Sequence, residues 1–359
     1  MVNGEYQEIP FLSDIGLVTT YHCQASCPHC IVEASPKRNE YISLVDAYSW
    51  IEQISNYNNE QIKAIALTGG EPFSNIEHLT SIAEKASSLD LLVTAVSNAH
   101  WATSYNDALN ILKKIPSIHL LTFSTDKFHQ RVIPLERIRN AFTAGQALGR
   151  ICNIAVCVGS DMNDETKKTL KYLEEFASPE AINTAHIFPV GRARYLSKQT
   201  QYPTSPTPPR AACNMAHAPV ILPNGVVIAC FGPIVGIKTN NPLILGNLYQ
   251  ESLEDILTRA ESNPILHAIR VWGPYKLVEM INDKGLGDYL SKEYISDSTC
   301  CTCYDLFFNL YQQEKIKNFF DELKLDKEFQ KTVAFGRAYY LHENGMMEMF
   351  SLISTESGD

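Results

Sequence analysis

What the 359-residue chain lacks already excludes several classes of protein. No apolar run approaches the roughly 18 residues that a membrane-spanning helix needs. Residues 1–10 have neither the basic nor the apolar stretch of a secretory signal peptide. Positive charge is scarce, because 30 Lys and Arg face 40 Asp and Glu and the net charge is −10, which argues against nucleic acid as a partner. We therefore expect a cytoplasmic protein with no membrane anchor.

Cysteine, in contrast, is abundant. Ten cysteines without a secretory signal favour metal or redox use over disulfides. Cys23, Cys27 and Cys30 lie within eight residues, directly after an apolar run at 15–20 that predicts a first strand. Three thiolate ligands leave one iron of a 4Fe–4S cubane open for a substrate or cofactor. The alternative is a structural zinc site, for which His29 is the local candidate for the fourth ligand.

Apolar segments recur along the first half of the chain with a steady period. After the first strand, predicted strands start near residues 62, 91, 118, 151 and 184, about 30 residues apart, which is the size of one βα unit. Helices are predicted at about 44–57, 75–88, 106–114 and 135–148, and a fifth helix should end at about residue 176. Ser74 is the predicted N-cap of the second helix. Six units predict an α/β fold, a partial TIM-like (β/α)6 barrel with its site at the carboxyl ends of the strands.

Polar motifs follow the predicted strands at that end. They are Gly69-Gly70-Glu71-Pro72, Ser97-Asn98, Ser124 and Asp126 with the nearby His129, and Pro189-Val-Gly-Arg192-Ala. Glycines allow a backbone to approach a ligand closely, a carboxylate such as Glu71 accepts from an ammonium, and the Arg192 fork fits a carboxylate. Each motif also has a structural alternative. Gly69-Gly70 could be an ordinary turn and Ser97-Asn98 a polar loop, while His129 could be a structural histidine and Arg192 part of a surface ion pair.

Two further cysteines lie on the predicted fifth strand. Cys152 and Cys157 are five residues apart, so their side chains face opposite sides of the sheet. Asn153 and Ala155 share the face of Cys157, which should point into the barrel, where its thiol could take part in the chemistry of the site. The alternative is a buried structural cysteine.

The pattern changes after residue 195. Residues 196–210 are rich in proline, serine and threonine and predict a linker. Beyond it, Asn224-Gly225 between apolar runs predicts a hairpin that brings Cys213 and Cys230 towards each other. Cys300, Cys301 and Cys303 follow as a further group, so that at least four thiols are available in this half. Four thiolates close either an iron–sulfur cluster or a zinc site.

The C-x3-C-x2-C motif, with His29 before its third cysteine, resembles the radical S-adenosylmethionine (SAM) superfamily. This resemblance implies a 4Fe–4S cluster whose open iron binds SAM and splits it into methionine and a 5′-deoxyadenosyl radical that abstracts a substrate hydrogen. Residues 69–72 resemble the family's "GGEP" motif, which holds the SAM amino group. By the same resemblance, Ser97, Asn98, Ser124 and Arg192 would contact SAM or substrate.

The C-terminal half resembles the SPASM or shorter "twitch" extension of radical SAM enzymes. That resemblance implies one auxiliary 4Fe–4S cluster with Cys213, Cys230, Cys300 and Cys303 as ligands. The expected organisation is a barrel at 1–195, a linker at 196–210, an auxiliary domain at 211–305 and a helical tail at 306–359. Because the first cysteine of the motif is residue 23, we expect no separate peptide-binding domain before it.

The expected function is modification of a ribosomally made precursor peptide or a protein, by a side-chain crosslink or an epimerisation. Cys157, Asp126 and His129 are the candidate catalytic residues, and an external donor of the flavodoxin or ferredoxin type would supply the electron. The alternatives are a radical SAM enzyme acting on a small metabolite, a sulfatase-type maturase, an iron–sulfur electron carrier and a zinc-stabilised binding protein.

Overall fold

A computed structural model of the chain describes residues 12–159, 163–187, 190–196, 202–236, 241–296 and 298–343. Pro189 of the predicted strand-six motif, residues 197–201 of the predicted linker and residues 344–359 of the predicted tail lie outside the described residues.

Six parallel strands form the core of the molecule. They pair in chain order, so that each strand lies beside the next one in sequence. The strands are β1 Asp14–Thr20, β2 Ala64–Gly69, β3 Leu92–Ser97, β4 Ile118–Thr125, β5 Ile151–Val158 and β6 Ile182–His186. The predicted α/β fold with a barrel-like parallel sheet is therefore confirmed.

Helices connect the strands in this half of the chain: α1 Leu44–Asn56, α2 Ile76–Ser87, α3 Tyr105–Lys113, α4 Leu135–Ala147 and α5 Asp164–Leu173. Asn75, rather than the predicted Ser74, caps α2, because its side chain accepts from the N–H of His78. Ser74 lies in the short 3-10 turn Pro72–Ser74, where its hydroxyl hydrogen bonds with the Tyr41 hydroxyl.

The two faces of β5 have different neighbours. Cys152, Ile154 and Val156 are buried on the outer face. Cys152 packs directly on α4, since a Cβ added at Gly145 would lie 2.5 Å from its sulfur. Cys157 is on the opposite face, as the alternation along the strand predicted.

The C-terminal half adds short strands and six helices within the part of the chain that the structure describes. The strands are β7 Thr204–Ser205, β8 Val220–Ile221, β9 Val226–Ile228, β10 Ile244–Asn247 and β11 Tyr294–Ile295. The helices are α6 Leu253–Glu261, α7 Pro264–Val271, α8 Pro274–Ile281, α9 Thr299–Tyr304, α10 Glu314–Leu325 and α11 Lys327–Glu343. Among the described residues, no helix is both long and apolar enough to cross a lipid bilayer.

The C-terminal strands continue the same sheet. The β8–β9 hairpin turns at Asn224-Gly225, where Gly225 has a φ of +79°. β8 pairs in parallel with β1, with Gly16 opposite Val220, and β10 pairs with β9. The result is a nine-stranded sheet in the order β10-β9-β8-β1-β2-β3-β4-β5-β6. A separate pairing of β7 with β11 joins the predicted linker to residues 294–295.

Candidate active site

A cavity of about 240 Å³ lies at the carboxyl ends of the six parallel strands. Most of the predicted site residues from the first half of the chain line it, and they come from every strand end: Cys23, Cys27, Cys30, Gly69, Gly70, Ser97, Asn98, Ser124, His129, Cys157 and Arg192. Glu71 and Asp126 are buried behind its wall. The barrel therefore brings together residues that are up to about 170 positions apart in sequence.

The loop after β1 presents its three cysteines to this cavity. Burial raises the pKa of Cys23 and of Cys27 to about 12, so these thiols are hard to ionise without a cation beside them. The N–H groups of Ala25 and Ala34 point at the sulfurs of Cys23 and Cys30, at 3.4 and 3.3 Å. Buried cysteine sulfurs that accept backbone N–H groups fit the ligands of an iron–sulfur cluster, which would supply the positive charge that ionises them.

Gly69 and Gly70 let the end of β2 approach this loop. The N–H of Gly70 donates to the Thr20 carbonyl at 2.7 Å. A Cβ on Gly70 would lie 2.1 Å from the carbonyl oxygen of His22, and Gly69 has a φ of +137°. Glycine is therefore needed here for backbone packing, whether or not a ligand is bound.

Glu71 is fully buried and binds neighbouring protein groups. One carboxylate oxygen accepts from the Phe73 N–H at 3.1 Å and the Ser97 hydroxyl at 2.8 Å, and the other accepts from the Asn98 N–H at 2.7 Å. Burial raises the pKa of Glu71 to about 7, although these hydrogen bonds oppose the rise. The carboxylate thus holds the loop after β3, and its contact with a SAM ammonium stays a prediction.

Asn98 in turn contacts the cysteine loop. Its side-chain amide lies 3.5 Å from the sulfur of Cys23, and its oxygen accepts from Gln24 at 2.8 Å. The Ser124 hydroxyl donates to the Ser97 carbonyl at 3.4 Å, which ties the end of β4 to the end of β3. These polar groups form one connected wall of the cavity.

Arg192 lies in the 3-10 turn Gly191–Tyr195 that follows β6. Its guanidinium donates to the carbonyls of Cys27 at 2.9 Å and Ala34 at 2.7 Å, and its backbone N–H donates to the Cys30 carbonyl at 3.1 Å. The planar guanidinium therefore binds the cysteine loop, which follows β1, from the turn that follows β6. Its predicted contact with a carboxylate of SAM or substrate stays a prediction.

His29, Asp126 and His129 form one hydrogen-bonded group. A single oxygen of Asp126 lies 3.1 Å from Nε2 of His29 and 2.9 Å from Nδ1 of His129. Burial alone would raise the pKa of Asp126, but the hydrogen bonds from the two histidines lower it well below its usual value. The structure thus adds His29 to the predicted Asp126–His129 pair. Sequence analysis considered His29 only as a zinc ligand or as part of the cysteine motif.

The four C-terminal cysteines also converge. Cys213 precedes the turn Asn214–His217, Cys230 follows β9, and Cys300 and Cys303 lie one helical turn apart on α9. Burial raises the pKa of Cys303 well above its usual value, and the charges of Cys230, Cys213 and Cys300 raise it further. All ten cysteines of the chain are free thiols.

Zinc and an iron–sulfur cluster need different spacings of their thiolate ligands. A tetrahedral zinc ion holds thiolates about 3.8 Å apart, given Zn–S bonds of about 2.3 Å. Among the described residues, three donor atoms of His, Cys, Asp or Glu lie within 4.8 Å of one another only at His29, Asp126 and His129. No three of these cysteine sulfurs therefore lie within 4.8 Å of one another.

Phe231 connects the two cysteine groups. It directly follows Cys230, yet its side chain lines the cavity at the cysteine loop and packs against the apolar residues around Cys23 and Cys27. His186, at the end of β6, also lines the cavity, and its Nδ1 is buried without a partner. Sequence analysis missed both residues, although Phe231 adjoins a predicted ligand and His186 lies within the predicted sixth strand.

Comparison with known proteins identifies one matching family model and several solved structures of similar fold. Residues 17–173 match the family model of the radical SAM superfamily. The solved structure of native anSMEcpe with bound AdoMet and Kp18Cys peptide is 13% identical, with a TM-score of 0.50, over 86% of this chain and 99% of that chain. BtrN in complex with AdoMet and 2-DOIA is 12% identical, with a TM-score of 0.40, over 81% of this chain and 92% of that one. No curated protein matches the sequence.

At 13% identity, the likeness to anSMEcpe indicates a shared fold. The family match makes residues 17–173 a radical SAM domain, which implies a 4Fe–4S cluster and SAM. The predicted class, a SAM-dependent enzyme, is confirmed.

Proposed function

We propose that this protein modifies a ribosomally made peptide or a protein at a C–H bond, by forming a side-chain crosslink or by epimerisation. The observation that carries this proposal is the second group of cysteines beside the SAM cavity. Phe231 lines that cavity and is the next residue in the chain after Cys230, which is one of the four converging C-terminal cysteines. A substrate in the cavity would therefore lie near both cysteine groups.

Within this proposal, Cys23, Cys27 and Cys30 hold the cluster that supplies the electron for SAM cleavage. Gly69, Gly70 and the polar wall formed by Ser97, Asn98 and Ser124 receive SAM, which is supported by their position around one cavity. Glu71 and Arg192 fix the loops that carry these groups. The apolar side chains of Ile31, Val96, Ile187 and Phe231 exclude water from the radical.

SAM, when bound at the cluster, would supply a 5′-deoxyadenosyl radical that can take a hydrogen atom from a substrate C–H bond. In a crosslink, the substrate radical bonds to a second side chain with loss of one proton and one electron. His129 donates its Nδ1–H to Asp126, which leaves its Nε2 to accept that proton. Cys213, Cys230, Cys300 and Cys303 would hold the auxiliary cluster that takes up the electron.

Epimerisation needs a hydrogen atom instead of an electron acceptor. Cys157 lines the cavity, and burial raises the pKa of its thiol to about 12, so it keeps its hydrogen at neutral pH. A thiol that donates this hydrogen atom becomes a thiyl radical, which an external reductant must restore. A Cys157→Ser variant that still makes product at the normal rate would favour the crosslink.

A peptide or protein substrate and an external donor of the flavodoxin or ferredoxin type complete the proposal. The anSMEcpe structure, which shares the fold, contains a bound peptide together with AdoMet. Ten free cysteines and two proposed clusters suit the reducing environment of the cytoplasm.

The test starts from protein that has been reconstituted anaerobically with iron and sulfide. We expect about eight irons per chain, and 5′-deoxyadenosine from SAM and dithionite, if both cubanes are present. About four irons with deoxyadenosine would remove the auxiliary cluster from the proposal. An iron-loaded protein that makes no deoxyadenosine, with or without peptide, would indicate an electron carrier.

Two cysteine variants separate the roles of the two groups. Cys27→Ala should abolish SAM cleavage, because the cluster that binds SAM loses a ligand. Cys230→Ala should keep part of the cleavage and lose the modified peptide, as followed by its mass. Normal product from Cys230→Ala would contradict the auxiliary-cluster assignment. Deoxyadenosine without a mass change in any candidate peptide would point to a small metabolite.

A further inference from the structure

Arg270 is a cation that is completely buried beside the C-terminal cysteines. It lies on α7, and 1% of its side chain is exposed. Its Nε donates to the carbonyl of Ala216 at 2.8 Å, and its Nη1 lies 3.0 Å from a carboxylate oxygen of Glu261. A fully buried guanidinium is uncommon in proteins, because the charge loses its hydration and needs compensation.

The carbonyl that Arg270 binds belongs to the turn that follows Cys213. The backbone N–H of Cys213 itself donates to the carbonyl of Ile269, the residue before Arg270 on α7, at 3.1 Å. Burial raises the pKa of the Cys213 thiol, and the positive charge of Arg270 opposes that rise. The position of Arg270 next to Cys213 is thus fixed by the turn that follows this cysteine and by the adjacent residue of α7.

We propose that Arg270 sets the reduction potential of the auxiliary cluster held by Cys213, Cys230, Cys300 and Cys303, with Glu261 as its counter-charge. This inference rests on the proposed function. A 4Fe–4S cluster with four thiolates is negatively charged and gains a further negative charge on reduction. A buried cation nearby stabilises the reduced form and raises the potential, because Coulomb interactions are strong where water is excluded.

Glu261 has the opposite effect. Its carboxylate pairs with Arg270 and is 21% exposed, so water screens it more than the guanidinium. The guanidinium and the carboxylate therefore act on the cysteines with opposite signs. Removing the carboxylate should raise the potential, and removing the guanidinium should lower it. A residue that only anchored the turn would not give two shifts of opposite sign.

The experiment uses the full-length chain with Cys23, Cys27 and Cys30 replaced by alanine, so that only the auxiliary cluster gives a signal. After anaerobic reconstitution, iron is counted and the potential is measured by redox titration followed by electron paramagnetic resonance. Arg270→Gln should lower the midpoint, Glu261→Gln should raise it, and Arg270→Lys should lie closer to the parent than Arg270→Gln. The matched control is Arg259→Gln, which removes an arginine that is 53% exposed and paired with Glu251; its midpoint should not change.

The outcomes separate the two proposals. A parent chain that binds no cluster contradicts the auxiliary centre itself and, with it, the role of Arg270. A loaded parent whose Arg270→Gln and Glu261→Gln midpoints are unchanged, or shift in the same direction, overturns the role of Arg270 alone. If Arg270→Gln fails to fold or to load, Glu261→Gln decides: a raised midpoint supports the inference and an unchanged one overturns it.

Discussion

Glu71 and Arg192 bind the backbone of neighbouring loops. Sequence analysis could place both at the site, because each follows a predicted strand and the carboxyl ends of parallel strands meet at one edge. It could not identify their partners, since the two carbonyls that Arg192 binds lie 165 and 158 residues earlier in the chain. The spacing of Cys23, Cys27 and Cys30, in contrast, could be interpreted from the sequence as a cluster site, because all three residues lie in one loop.

Glu71 should make the stability of the protein depend on pH. Its pKa is raised by burial from 4.5 to about 7 in the folded protein, so between these values the native state keeps a proton that the unfolded chain has lost. The free energy of unfolding should therefore fall as the pH rises from about 4.5 to about 7, by about 3 kcal/mol from this group. The thermal midpoint, measured across this pH range, reports the change.

The Glu71→Gln variant tests this assignment. It should be less stable than wild type at pH 5.5, because its amide cannot accept from all three donors, and the difference should shrink by pH 8. Glu84→Gln, at an exposed position on α2, is the matched control and should follow the wild-type pH dependence. A difference between wild type and Glu71→Gln that is equal at both pH values would contradict the raised pKa.

At the scale of elements, the six parallel strands and their helices could be predicted because hydrophobic runs recur about every 30 residues. β7 and β11 could not, since each has two residues and its partner lies about 90 residues away. The predicted N-cap of α2, Ser74, was also wrong, because Asn75 caps this helix. Ser74 and Asn75 are both residue types that cap helices well. The hydrogen bond between the hydroxyls of Ser74 and Tyr41 explains why Asn75, and not Ser74, caps the helix.

The contact between the end of β2 and the cysteine loop should fail if Gly70 gains a side chain. In Gly70→Ala, the new Cβ would lie 2.1 Å from the His22 carbonyl oxygen, so the loop must move away. We expect the variant to lose the iron bound by the first three cysteines, which lowers iron from about eight to about four per chain, and to make no deoxyadenosine. Iron analysis after anaerobic reconstitution measures this.

Gly149→Ala is the matched control for that prediction. Gly149 also has a positive φ, +73°, but nothing lies within 4 Å of an added Cβ. The substitution should destabilise the protein by about 1–2 kcal/mol through backbone strain and leave the iron content unchanged. Wild-type iron and activity in Gly70→Ala would show that the close approach is not needed.

The whole molecule is organised around one continuous sheet. Sequence analysis divided the chain at residues 196–210 because its composition changes there, and the hairpin at Asn224-Gly225 could be predicted from its turn. The pairing of that hairpin with β1 could not be predicted, because it involves two residue pairs on strands about 200 positions apart. The sheet therefore joins the loop of the first three cysteines to the region of the other four.

A substitution at Gly16 should weaken this junction. A Cβ at Gly16 would lie 2.9 Å from a methyl group of Val220, so Gly16→Ala should destabilise the protein by about 1–3 kcal/mol. Val220→Ala removes that methyl group, and the double variant should recover part of the loss relative to the sum of the single changes. Thermal unfolding of the four proteins measures this coupling, and additive effects would contradict the close packing.

The pairing of β8 with β1 also bears on how the protein is made. β1 is synthesised early, but one of its edges stays open until residues 220–221 leave the ribosome. At roughly 5–20 residues per second, this delay is about 10–40 s. An uncovered strand edge is a template for pairing with other chains. The yield of native protein in the cell should therefore depend on chaperones that shield the nascent barrel during this interval.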